Sequence, residues 1–333
     1  MFETSSTQMQ KLAVAPMIDW TDRFCRYFHR RFSKHTLLYT EMITAPALIH
    51  GDVDRLLAYD AIEHPVALQI AGSDPEQLAH ATRLGVAAGY DEINLNVGCP
   101  SDRVQSGSFG AVLMKNPALV AACICAMKEA AGSTRVTVKS RIGVDDQDPE
   151  TALLEFLDHV IVAAADQIIV HARKAWLKGL SPKENRDIPP LDYPLVHKMK
   201  SVFRDTPMSI NGGIQSLDEA QAHLSIMDGV MIGRAAYHMP ASILGLADHQ
   251  IFGAEGIVTA EQAVYAMFDF IDDELIKGTR LHQITRHMMG AFAGRPGARG
   301  WRRHLSEQAN KPGADLKTLE TALGHVEDLD LAA

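Results

Sequence analysis

A (β/α)8 barrel of the α/β class over residues 1–248, followed by a small all-α helical bundle over residues 249–333, is the architecture this sequence predicts. Two regularities lead there. Eight short runs rich in apolar and β-branched residues recur at intervals long enough to hold a helix, and that rhythm stops after Leu246, beyond which only helical patterns follow. Eight strand/helix units in about 240 residues is the size of a TIM barrel. A doubly wound sheet is the alternative, but it usually has fewer strands and would want a GxGxxG after the first, and none is present.

The predicted strands, in order, are residues 12–17, 37–42, 66–71, 93–97, 136–141, 168–172, 208–211 and 230–233. Residues 77–88 and 117–131 are rich in Ala and Leu and read as helices, and a Ser216/Glu219 capping box opens a third at 216–224. A two-glycine loop at 252–256 then leads to a second capping box, Thr259 with Gln262, which predicts one amphipathic helix to about Lys277. Three further helical segments, near 281–293, 298–308 and 316–326, are separated by Gly or Pro.

Composition is that of an ordinary globular protein, with 47% hydrophobic and 22% charged residues in 333. The four cysteines form no CxxC pair and no zinc-finger spacing with His, so neither a disulfide framework nor a metal site is expected. Residues 1–10 are polar and no apolar run reaches membrane-spanning length, which predicts a cytoplasmic protein in a reducing compartment. Nothing calls for an obligate protein partner, and a monomer is expected. The net charge of −9 argues against a polyanionic partner, but between Arg280 and His304 there are six arginines and no acidic residue.

In a barrel of this kind, chemistry-bearing groups stand just after the C-terminal ends of the strands. Those positions hold Ala15, Pro16 and Met17 (first strand), Gln69 (third), Asn96 and Cys99 (fourth), Lys139 (fifth), His171 (sixth), Asn211, Gly212 and Gly213 (seventh), and Gly233 and Arg234 (eighth). Glycine turns after the last two strands expose backbone N–H groups that commonly bind phosphate, with Arg234 adding a charged contact. Lys139 facing the interior is costly without an anionic partner, such as a reduced flavin; the alternative is a solvated strand-end lysine. His171 reads equally as a core histidine satisfied by a carbonyl or as a contact to a phosphate or ring edge. Cys99, between the strand breakers Gly98 and Pro100, reads equally as a buried structural cysteine or as a loop thiol placed to give a proton.

Taken together, Ala15-Pro16-Met17, the stretch from Asn94 to Gly110, Val138-Lys139-Ser140-Arg141, His171-Ala172-Arg173, Asn211-Gly212-Gly213-Ile214 and Ile232-Gly233-Arg234 resemble the tRNA-dihydrouridine synthases. The resemblance extends from about Lys11 to His304. The segments 171–177 and 297–303 are most similar to the bacterial A-type branch, which implies action at positions 20 and 20a of the tRNA D-loop. It implies an FMN-binding barrel, a helical RNA-binding domain, NADPH as electron donor and reduction of the uridine C5=C6 bond. Ala15, Pro16, Met17, Gln69, Lys139, His171, Asn211, Gly212, Gly213, Gly233 and Arg234 then map to FMN contacts. Cys99 maps to the acid and Asn96 to the position beside the uracil.

Chemistry agrees with that mapping. Hydride addition at uracil C6 leaves an enolate whose C5 must be protonated from the opposite face, and a thiol is mostly protonated at neutral pH. The target base must be drawn out of a folded RNA, so binding is expected to rest on shape and phosphates. Arg299 and Arg302, with Arg303, fall on one helix face; Lys183 and Arg186, after the sixth strand, are expected to extend that surface, with Lys174 and Lys178 nearby. A small-molecule flavin reductase of the dihydroorotate or dihydropyrimidine dehydrogenase type is the alternative, since it shares the hydride chemistry without needing RNA.

Overall fold

The structure, a computed structural model, describes residues 10–100 and 109–330. Residues 101–108, part of the stretch that carries the family resemblance, lie outside the described residues. Nine strands form one parallel sheet: β1 (Leu12–Val14), β2 (Leu38–Tyr39), β3 (Ile43–Thr44), β4 (Val66–Ala71), β5 (Glu92–Val97), β6 (Arg135–Ser140), β7 (Gln167–His171), β8 (Met208–Asn211) and β9 (Gly229–Ile232). The order is β1-β9-β8-β7-β6-β5-β4-β2, and a parallel bridge between Ala13 and Leu37 brings β2 back to β1. The ring therefore has eight strand positions, as expected of a TIM barrel.

Two strands differ from expectation. The first stops at Val14, because Pro16 lacks an N–H for the ladder, although Ala15 N still donates to Ile232 O at 2.8 Å. The run 37–42 is strand only over β2, and a further short strand, β3, follows just beyond it; both pair with β4. Between them the Thr40 hydroxyl accepts from Gln69 N at 3.0 Å and donates to Glu41 O at 2.8 Å, replacing part of the ladder.

Period-2 alternation separates the two faces of the wall. Ile93, Leu95, Val97, Val136, Val138, Ile168 and Val170 join the large outer apolar cluster under the helices. A separate apolar cluster, among them Ala13, Tyr39, Ala67, Ile169 and Met231, consists of residues in register to face inward. Polar residues take most other inward positions of β4 to β6, among them Gln69, Glu92, Asn94, Asn96, Thr137 and Lys139.

Helices begin where local chemistry says they should. Asp74, Asn116 and Asp148 each cap a helix whose next residue is Pro, their side chains accepting from Gln77 N, Leu119 N and Thr151 N. The Thr259/Gln262 box forms in full. The Ser216/Glu219 box forms only by half: Ser216 accepts from Glu219 N, but the Glu219 carboxylate turns to Gln215 N at 2.8 Å.

The C-terminal helices are shorter than their patterns suggest. The expected helix from 260 to 277 is two, Ala260–Tyr265 and Phe268–Ile276, and 281–293 is helical only over Leu281–Thr285. The chain there presses on the barrel: a Cβ on Gly290 would stand 2.5 Å from His238 O. These helices dock on the helix Arg23–Phe32, where Tyr27 stacks on Phe270 with centroids 3.7 Å apart and Asp22 meets Arg286 and His287 at 2.6 and 3.0 Å. The apolar cluster is continuous from the barrel's outer layer into this bundle.

Trp301 is the keystone of the bundle, fully buried, edge-on to Phe292 and donating from Nε1 to Met288 O at 3.1 Å. Trp301→Ala is expected to lower stability by about 3–5 kcal/mol, read as a shifted denaturant midpoint at unchanged slope.

Candidate active site

Cys99 stands on a turn at the mouth of the barrel, one step beyond β5, and is neither fully buried nor fully exposed. Asn96 shapes that turn: its Oδ1 accepts from Gly98 N at 3.1 Å and from Cys99 N at 3.0 Å, while its Nδ2 donates to Gln69 Oε1 at 2.8 Å. Gly98 lies so close to β6 that a Cβ would meet the Ser140 carbonyl carbon at 3.3 Å. The return limb is tied by Ala111 N to Cys99 O at 2.9 Å. Asn96 and Gln69, expected at the ligand, thus stand at the mouth with their amides already engaged by neighbours.

Arg141 is a residue the sequence reading quoted but gave no role. It is buried, donates from Nε to Gly98 O at 3.1 Å, and from Nη1 to Asn185 O at 3.0 Å, so one guanidinium joins the Cys99 turn to the segment after β7. Its signal was its place two residues after Lys139, on the same face of the strand.

Around this turn the structure gathers cations. Burial, followed by the nearby charge of Arg141, lowers Lys139 from its ordinary 10.5 to about 7, while Cys99 favours its charged form. His171 is held well below its ordinary value by burial and then by Arg141, Lys139, Arg173 and Arg186, so it is neutral. Arg173 and Arg186 are lowered in the same way, with Arg234 contributing to both. Among the described residues, the buried Nε of Arg173 has no hydrogen-bond partner. Arg234 is engaged otherwise: its Nη1 pairs with Asp187 Oδ1 at 2.9 Å, both side chains being half-exposed. Like charges crowded in this way favour an anionic ligand.

The glycine turns are built for close approach. Gly212 and Gly213 have φ of +113° and +74°, and a Cβ on Gly212 would lie 2.5 Å from the His171 ring. Asn211 anchors the first turn through Nδ2 to Met231 O at 2.8 Å, and Tyr193 donates to Gly212 O at 2.6 Å. Gly233 packs beside Ala15 and Met17, so the first and last loops meet.

The basic segment divides in two. Arg286 and Arg295 are paired with Asp22 and Glu261, acids from outside the segment. Arg299, Arg302 and Arg303 stand on the exposed face of the helix Ala298–Gln308, whose Ala298, Trp301 and Leu305 are buried. Lys183 and Arg186 are exposed beside the mouth; Lys174 instead donates to Gln147 O at 2.7 Å and lies over the Trp176 ring. No described helix is long and apolar enough to cross a membrane.

Comparison with known proteins agrees with this geometry. A family model described as dihydrouridine synthase matches residues 13–327. A tRNA-dihydrouridine(20/20a) synthase of Salmonella typhi is 57% identical over 328 residues, covering 98% of this chain and 98% of that protein. One from Escherichia coli (strain K12) is 58% identical over 320 residues, covering 96% and 92%, and one from Vibrio cholerae is 55% identical over 322, covering 96% and 98%. Among solved structures, morphinone reductase superposes with a TM-score of 0.53 at 13% identity, covering 76% of this chain and 90% of that one. An old yellow enzyme homologue from Zymomonas mobilis gives 0.51 at 11%, covering 77% and 92%. At such low identity these two speak for the barrel fold alone.

Lys139 generates a pH prediction for the protein without added ligand. Its proton is lost near pH 7 when folded and near 10.5 when unfolded, so the unfolded chain binds more protons between those values and this group's contribution to stability rises with pH across that window. Lys139→Met is expected to lose that rise; denaturant midpoints measured from pH 6.5 to 9 check it, and parallel pH profiles for the two proteins would refute the burial of this ammonium.

Proposed function

We propose, because this chain belongs to the dihydrouridine synthase family, that it reduces the C5=C6 bond of uridine in the tRNA D-loop, at positions 20 and 20a, using bound FMN and NADPH. The observation that carries the reading is the cation-lined mouth beside the Cys99 turn. A phosphorylated flavin fits that donor set, since the buried Nε of Arg173 lacks an acceptor there and the left-handed glycines open their backbone to a phosphate. Ala15, Pro16, Met17, Gln69, Lys139, His171, Asn211, Gly212, Gly213, Gly233 and Arg234 would hold it. When bound and reduced, that group supplies the hydride for uracil C6.

Cys99 gives the proton to C5, and Asn96 keeps its turn in place beside the base. Lys139 offers an ammonium to negative charge in the pocket, and neutral His171 offers a ring nitrogen as donor or acceptor. Arg234 must exchange Asp187 for the phosphate, which is feasible because an exposed ion pair of this kind is worth only about 0–1 kcal/mol. Residues 1–248 act as the catalytic domain and 249–333 as the RNA-binding domain, in a cytoplasmic monomer. The exposed, unpaired face of Arg299 and Arg302, together with Lys183 and Arg186, favours tRNA over the small-molecule alternative, which has no use for it.

Loss of dihydrouridine at positions 20 and 20a in tRNA from cells lacking this protein is expected, read by mass mapping; unchanged tRNA would refute the reading. In vitro, Cys99→Ala should bind FMN and oxidise NADPH yet form dihydrouridine about 10²–10⁴-fold more slowly, the usual worth of a general acid. Full turnover by that variant would remove Cys99 from the role. Arg299→Ala with Arg302→Ala should weaken tRNA binding and flatten its dependence on log salt by about 0.7–0.9 per lost phosphate contact. An unaltered slope would put the RNA surface elsewhere.

A further inference from the structure

The Cys99 turn is the upper end of a buried hydrogen-bond chain that descends the inside of the barrel. Asn96 Nδ2 donates to Gln69 Oε1 at 2.8 Å, Gln69 Nε2 to Asn94 Oδ1 at 2.7 Å, and Asn94 Nδ2 to Thr137 Oγ1 at 2.7 Å. The Thr137 hydroxyl then donates to Glu92 Oε1 at 2.6 Å, where Tyr39 also donates. Arg135 stands 3.7 Å from the other oxygen of Glu92. All five residues of the chain, Asn96, Gln69, Asn94, Thr137 and Glu92, are buried.

The chain has a single polarity, dictated alike from both ends. At the top, Asn96 Oδ1 faces two backbone N–H groups, those of Gly98 and Cys99, so it accepts and the amide nitrogen must face Gln69. That choice passes downward: Gln69 accepts with its oxygen and donates with its nitrogen, and Asn94 repeats the pattern. At the bottom, the carboxylate of Glu92 only accepts, which is what an incoming Thr137 hydroxyl requires. Reversing the run would turn the Asn96 NH2 against the N–H groups of Gly98 and Cys99, with no acceptor for any of them.

We infer that Thr137, backed by Glu92, is a positioning residue that holds the Cys99 turn through this chain. It touches neither the turn nor the mouth; it keeps Asn94 and Gln69 in the orientation that lets Asn96 point its oxygen at the Cys99 amide. Hydrogen bonds in a low-dielectric interior reinforce one another along such a run, so the break is felt at its end. The assignment of a catalytic consequence rests on the proposed function, whereas the coupling of Thr137 to the turn does not.

Thr137→Val removes the hydroxyl, and Thr137→Ser restores it without the methyl. In the protein without ligand, Thr137→Val should make the Gly98 and Cys99 amides exchange hydrogen about tenfold faster, the worth of roughly one net hydrogen bond, while the β9 amides across the barrel keep their rates. Thr137→Ser should return exchange to the wild-type rate. With tRNA, kcat for dihydrouridine formation should fall by a similar factor at unchanged KM. If Thr137→Val fails to fold, Thr137→Cys, similar in size with a weaker donor and acceptor, should give an intermediate acceleration. Unchanged exchange at Gly98 and Cys99, equal acceleration at β9, or failure of Thr137→Ser to restore the rate would each overturn the inference. A wild-type protein that formed no dihydrouridine would defeat the functional reading while leaving the exchange comparison valid.

Discussion

A polar group buried inside a barrel must find a partner or forfeit about 1–3 kcal/mol, and that requirement organises this molecule from floor to mouth. The inward face of β5 carries Glu92, Asn94 and Asn96, three polar side chains in succession, all of them buried. They are tolerable because β4 and β6 present Gln69 and Thr137 at matching heights, in a register where Asn94 lies opposite both Gln69 and Thr137. A second branch on the floor runs from Arg135 to Gln167 and on to Ser209. A slip of one residue in either register would carry these groups into the apolar outer layer. The wall is therefore specified twice, by apolar side chains outside and by amide pairing within.

The opposite strategy rules the mouth. There burial and then neighbouring cations lower Lys139, Arg141, Arg173 and Arg186, Arg234 being one of the charges that act on Arg173 and Arg186. The scaffold supplies the restraint: Arg141 is fixed by carbonyls of Gly98 and Asn185, and Arg173 by the Pro189 carbonyl. An anion bound among these cations would recover the stability given up in crowding them, which would make ligand binding and local order parts of one equilibrium. The deep displacement of His171 from its ordinary value follows first from burial and then from the same field, and keeps the ring uncharged in the midst of positive neighbours.

Charge is partitioned with equal economy at the C-terminal bundle. An acidic protein presents a basic face because tertiary contacts consume some arginines and spare others. Asp22, which also caps the helix Arg23–Phe32, takes Arg286, and its carboxyl is lowered to about 2 by His287 and Arg286 against the opposing effect of burial. Glu261 takes Arg295. Arg299, Arg302 and Arg303 remain outward on the helix Ala298–Gln308, while Trp301 on its other face fastens it to the bundle.

Much of the fold and part of the site were legible in the sequence, because both are written in local patterns. The eight strand positions of the ring followed from apolar runs and their spacing, whereas the extra strand β3 did not; the placement of Gln69, Cys99, Lys139, His171 and Asn211 followed from where those runs end. Capping residues marked the helix starts at Ser216 and Thr259, and the patterns overstated helix length at 260–277 and 281–293, where the chain breaks into shorter helices. The sequence alone determined the architecture and which residues surround Cys99 along the chain. Only the tertiary structure decided which charges are spent and which are kept: Arg286 finds its acid 264 positions away, Arg141 becomes the clasp on the Cys99 turn, and Asn96 becomes its support. The reason is physical: periodicity is a property of neighbours along the chain, whereas pairing depends on distance across the closed barrel, which sequence separation does not encode.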